Sequence, residues 1–164
     1  MQAGMKRACF SAAIVGVFTT ALAVAVLAQA ADPQIGTWKL NVAKSTFSPG
    51  PAPKSGTTKI EAAGAGAKLV VDQTAVDGTA RHWEFTANYD GKDVPITGNN
   101  PDADTVARTR VNANTVETIS KKAGKVVTTQ QSAVSADGKT RTVTTKGVNA
   151  AGKTVNNVAV YERQ

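Results

Sequence analysis

Turn signals cut this chain into runs too short and too β-branched for anything but strands. Asp77-Gly78, Asp90-Gly91, Ala123-Gly124, Asp137-Gly138 and Ala151-Gly152 punctuate segments rich in Val and Thr. Asn112-Ala113-Asn114 adds another tight turn. Gly124, Gly138 and Gly152 stand 14 residues apart, and each is followed by a lysine, as is Gly91. Glycine supplies the positive φ that hairpin turns need, and a lysine beside the turn sits readily in water. Val- and Thr-rich runs suit a pleated, half-buried surface. Beyond the first thirty residues no segment repeats with a helical period.

This punctuation predicts ten strands, at 35–42, 56–62, 67–76, 79–89, 92–97, 104–111, 114–121, 125–134, 139–148 and 154–163. Short connections make successive strands antiparallel. The long connection, 43–55, carries Pro49, Pro51 and Pro53 at alternate positions, so it is extended and stiff. Residues 98–104, with Asn99, Asn100 and Pro101, form a second break. No linker divides residues 31–164, which are expected to form one all-β domain. An open ten-stranded meander would expose two edges, whereas closure into an antiparallel up-and-down barrel removes them. Closure would bring the first strand, with Trp38, beside the last, with Tyr161. A barrel of this size can enclose a small ligand.

Residues 1–30 read differently. Lys6 and Arg7 precede an apolar run from Phe10 to Leu27; Ala28-Gln29-Ala30 and then polar Asp32-Pro33-Gln34 follow. That is the pattern of a secretory signal peptide, which predicts a periplasmic or secreted product. Met5 makes an equally good start. Cys9, the single cysteine, precedes the apolar run and would leave with the signal, so no disulfide framework is available. Two of the 19 basic residues lie in this segment, so the remaining 17 against 12 acidic ones give +5, down from +7. The basic residues are scattered and match no nucleic-acid-binding motif, and no such partner is expected. Residues 31–164 hold six aromatics, and runs such as Thr140-Arg141-Thr142-Val143-Thr144-Thr145-Lys146 offer no continuous lipid-facing set. An outer-membrane barrel needs both girdles and that face, so no membrane insertion is expected after cleavage. The expected product is a monomer.

Two terminal segments carry a resemblance. Gly36-Thr37-Trp38-Lys39-Leu40 and Val160-Tyr161-Glu162-Arg163 are similar to the first and last strands of intracellular fatty-acid-binding proteins, and the G-x-W element is shared with lipocalins. The chain thus resembles the calycin group of ligand-holding barrels, as an exported, bacterial-style member. The resemblance implies that Trp38 closes the barrel floor. It also implies that Tyr161 occupies the ligand-clamp position, while Ala159 and Gln131 stand where that family places arginines. Glutamine at such a position in retinol-binding members suits a neutral hydroxyl. The helical lid between the family's first two strands has no counterpart in the proline-rich 43–55 stretch.

Other residues carry weaker signals. Arg108 and Arg110 share a strand face; inward they could bind an anion, outward they are solvated charges. Arg141 carries the same alternative. His82 and Glu84 also share a face, with Trp83 and Phe85 on the opposite one. A His–carboxylate pair can support base chemistry or haem ligation, but no nucleophile or metal partner is marked by spacing. Asp102 and Asp104 flank a loop position without the rest of a calcium loop. No catalytic motif, metal set or cofactor signature is present.

The resulting expectation is a calycin-like barrel of about ten strands without the helical lid. It would bind a small, hydrophobic or amphipathic molecule non-covalently, with Tyr161, Gln131, Arg108 and Arg110 as the polar contacts. It is not expected to be an enzyme. The alternatives are a cell-envelope interaction module with a filled barrel, or a His82-based haem protein or enzyme.

Overall fold

The computed structural model describes residues 31–149 and 151–164; the expected signal peptide and Cys9 lie outside the described residues. Eleven strands follow one another: β1 (Gly36–Thr46), β2 (Ser55–Ala63), β3 (Gly66–Thr74), β4 (Ala80–Asn88), β5 (Asp90–Pro95), β6 (Thr97–Gly98), β7 (Thr105–Asn112), β8 (Thr115–Lys122), β9 (Lys125–Val134), β10 (Thr140–Val148) and β11 (Thr154–Arg163). The described residues contain no helix. The turns fall where the glycines do: Gly78, Gly91, Gly124, Gly138 and Gly152 all have φ between +70° and +92°.

All strands join one antiparallel sheet in the order β5-β7-β8-β9-β10-β11-β1-β2-β3-β4-β6. Its first and last strands meet as expected. β1 pairs with β11, setting Trp38 opposite Arg163 and Leu40 opposite Tyr161. The fold is an all-β, nearly closed antiparallel up-and-down barrel, and no helical lid occurs among the described residues.

Two expectations need correction at the line where the barrel closes. The single strand expected at 92–97 is two, β5 and β6, on opposite sides of the gap. β5 pairs with β7, and β6 pairs with β4 through Trp83–Gly98 and Glu84–Thr97. Consecutive β4 and β5 form no ladder with each other. The Asp90-Gly91 turn lies inside an irregular register that turns the chain toward β7. Pro95 cannot donate to a ladder, and the chain changes partners just beyond it. Gly98, at φ +107°, fits there because a Cβ would strike the His82 carbonyl oxygen.

Side chains alternate across the wall. Trp38, Ile60, Ala67, Leu69 and Val134 form a buried cluster with Phe85, Tyr89 and Tyr161 packed against it. Leu40, Val143 and Ala159 form a second, with Val42 and Phe47. The inner wall is also rich in small hydroxyls: Thr58, Thr118, Ser120, Thr128, Ser132 and Thr145 are all buried. Short hydroxyl side chains leave space that larger apolar residues would fill.

Candidate ligand site

One end of the barrel is plugged. Trp38 is fully buried, and its indole N–H donates to the Gln34 carbonyl at 2.9 Å. Gln34 is buried too, although it lies in the segment before β1. Its amide donates to the carbonyls of Asn114 (2.9 Å) and Ser132 (3.0 Å), and its Oε1 accepts from Ser132 Oγ at 2.9 Å. Arg163 lies 4.2 Å from the Trp38 ring centroid and donates to the carbonyls of Ile35, Pro33 and Gly138. The polar groups named at the floor are therefore satisfied from the segment before β1 and from the last strand.

Above the floor lies a cavity of about 480 Å³. Leu69, Val71, Trp83, Phe85 and Val143 line it beside Thr118, Thr128, Gln130 and Thr145. Phe47, Pro49, Pro51 and Pro53 also line it. Ser48 and Gly50 of this strap line it as well, and of the three prolines only Pro53 is buried. The strap occupies the place where the resemblance would set helices.

The four expected contact residues have different surroundings. Tyr161 lines the cavity, and burial pushes its phenol above the ordinary value. Arg108 is turned inward and is 1% exposed. Its Nε and Nη1 are buried without a hydrogen-bond partner, and its guanidinium lies 5.1 Å from the Tyr89 ring centroid. Burial lowers its pKa. Arg110 is also inward but is engaged at the floor, where both terminal nitrogens bond Asp32 and the guanidinium sits 3.9 Å from the Tyr89 ring centroid.

Gln131 is exposed, and its neighbour Gln130 lines the cavity instead. The cause is one residue. Ser120 pairs with Thr128 but Lys121 with Val126, so Val127 is an extra residue in β9. A bulge of this kind reverses which residues beyond it face inward. Counting from the Gly124-Lys125 turn without it puts Gln131 on the wrong face.

Arg141, which the sequence left open between inside and outside, is buried and lines the cavity. Its Nε donates to Ser132 Oγ at 2.7 Å, its guanidinium lies 5.3 Å from the Tyr161 ring centroid, and burial pushes its pKa down to about 10. Gln34 was not singled out from the sequence; no motif marks a glutamine that becomes buried only when the floor closes over it.

No family model matches the chain, and no curated protein matches it. Among solved structures, a redesigned β-barrel aligns with a TM-score of 0.46 at 13% identity, over 80% of this chain and 92% of its own. Zebrafish ileal bile acid-binding protein complexed with cholic acid aligns with a TM-score of 0.46 at 12% identity, over 80% of this chain and 99% of its own. The strand order and register, not these likenesses, define the fold.

His82 faces outward with its side chain 58% exposed. Its Nδ1 lies 2.7 Å from Asp72 Oδ1, directly across from β3, while Glu84 pairs with Lys68. The His82–Glu84 pair suggested by their shared face is thus replaced by two cross-strand pairs. Trp83 and Phe85 point into the cavity from the opposite face. No cluster of three or more metal-ligating side chains occurs among the described residues. Asp104 accepts the Ala123 amide at 2.8 Å, a turn-fixing role.

Proposed function

We propose that this protein binds a small, partly apolar molecule non-covalently inside its barrel. The cavity of about 480 Å³, lined by apolar side chains such as Leu69, Trp83 and Phe85 and bordered by the proline strap, carries this reading. Cavities of a few hundred Å³ or more with apolar walls and a few polar groups are typical small-molecule sites. Enclosure would contribute roughly 25 cal/mol per Å² of apolar ligand surface removed from water. With the signal-like pattern of residues 1–30, the reading places the protein in the periplasm or outside the cell, as a binding protein and not an enzyme. The cavity counts against a filled envelope module. The outward His82, tied to Asp72, counts against a haem or catalytic centre built on it.

The test uses N-phenyl-1-naphthylamine, a neutral dye that brightens in apolar sites, together with tryptophan emission, to which Trp83 on the cavity wall and buried Trp38 both contribute. Saturable brightening at one dye per chain, with a matching change in tryptophan emission, is expected. A folded protein that leaves the dye dark overturns the reading in favour of the filled module.

A further inference from the structure

We propose that the molecule held in this barrel is a neutral glycoside, its sugar hydroxyls bonded by a belt of Thr118, Gln130 and Thr145 and its apolar aglycone laid against the opposite wall. This rests on the cavity-binding reading above and names the chemical class of the occupant.

The two sides of the cavity are chemically different. On one side Val71 stands opposite Trp83 and Leu69 opposite Phe85 across the β3–β4 ladder, and all four line the cavity. On the other side the registers set Thr118 opposite Gln130, Gln130 opposite Thr145, and Thr145 opposite Asn157. These four line the cavity as well. The result is a polar row that runs without a break from β8 to β11, with a hydroxyl or amide about every 4.8 Å. Ser120 and Thr128, paired with each other, add a second row nearer the strap. In the sheet order β9 and β10 lie halfway round from β3 and β4, so the belt and the apolar wall face each other. The Val127 bulge completes the belt, because it turns Gln130 inward. Asn157 Oδ1 accepts the Ser48 amide at 2.9 Å, which ties the end of the belt to the strap.

The belt selects by its chemistry. Threonine hydroxyls and a glutamine amide both donate and accept, and none carries a charge. Hydroxyl groups of a ligand do the same, so several can be matched at once along one row. Thr118, Ser120, Thr128 and Thr145 are all buried. A plain hydrocarbon chain would strip water from them and return no hydrogen bond, which is costly for buried polar groups. A free sugar would satisfy the belt but leave Leu69, Val71, Trp83 and Phe85 uncovered. A cationic head would meet Arg141, which also lines the cavity. A glycoside uses both walls.

The deciding experiment is calorimetric titration of the protein with octyl β-D-glucopyranoside, kept below the concentration at which it forms micelles, and with octan-1-ol, octanoate and glucose. The glucoside is expected to bind at least about tenfold tighter than octanol or octanoate, and glucose not measurably. In a variant carrying both Thr118→Val and Thr145→Val, valine keeps the shape and removes the hydroxyls. The ratio of glucoside to octanol affinity should then fall about tenfold. Equal affinity of the wild type for glucoside and octanol overturns the role of the belt and leaves the cavity reading standing. Octanoate binding tighter than the glucoside overturns the neutral head group. Glucose binding as tightly as the glucoside overturns the part given to the apolar wall. Binding of none of the three eight-carbon-chain ligands overturns both readings. The wild-type comparison decides the matter even if the variant does not fold.

Discussion

Asp32 shows how much a single side chain from outside the strands contributes to this barrel. Its carboxylate accepts from Arg110, from the Gln34 amide at 3.0 Å and from the Tyr89 hydroxyl at 2.8 Å. Burial alone would raise its pKa, but those three donors outweigh it and hold the carboxyl below its ordinary 3.8. A depressed folded-state value means stability that is present above the unfolded value and lost as pH falls through the folded one. The melting temperature should therefore fall on acidification from about pH 4 downward. Asp32→Asn should cost about 1–2 kcal/mol at pH 7, and its melting temperature should converge on the wild type's in acid, followed by circular dichroism. A constant difference between the two proteins across that range would remove the ionised Asp32 from the account. Such residue-level roles were only partly legible. Trp38 stood out through the Gly36-Thr37-Trp38 element, whose resemblance to the first strand of ligand-holding barrels implied that the indole closes the floor. The inward turn of Arg108 and Arg141 was not, because a charged side chain follows the parity of its strand whatever its own preference for water.

Among the elements, β9 and β10 decide the most. Val127 is extra in β9, and the partner strand makes room for it at Gly147, where φ is +146° and a Cβ would strike the Val127 carbonyl oxygen. Gly147→Ala should therefore destabilise the barrel by about 1–3 kcal/mol, read as a lower urea midpoint with an unchanged m-value. A variant as stable as the wild type would mean that the bulge does not depend on this glycine. The strand boundaries and turns were readable because Gly and Pro act locally. The bulge was not, because it exists only as a relation between two paired strands.

Taken as a whole, the molecule is a ladder with one weak line. β1 and β11 are tied by Trp38–Arg163 and Leu40–Tyr161, and the floor adds bonds between segments 78 to 98 residues apart. Across the line between β4 and β7, by contrast, the chain is joined through β5 on one side and the two-residue β6 on the other. Hydrogen exchange should therefore be fastest in residues 90–98 and slowest in β8 to β11 and β1, since local opening follows the thinnest bonding. Uniform protection around the barrel would contradict this. Closure itself was legible, because ten or so antiparallel strands leave two edges that are best spent on each other.

By itself the amino-acid sequence determined the all-β class, the places where the chain turns, the helix-free strap and the meeting of the first and last strands. These follow from φ preferences, missing amide donors and alternation, all local properties. Tertiary structure alone decided that Gln130 and not Gln131 lines the cavity, that Asp32 neutralises Arg110, and that Arg108 and Arg141 are buried without an ion pair among the described residues. Those outcomes depend on register and on which distant groups arrive within bonding distance, and neither is a property of any single segment.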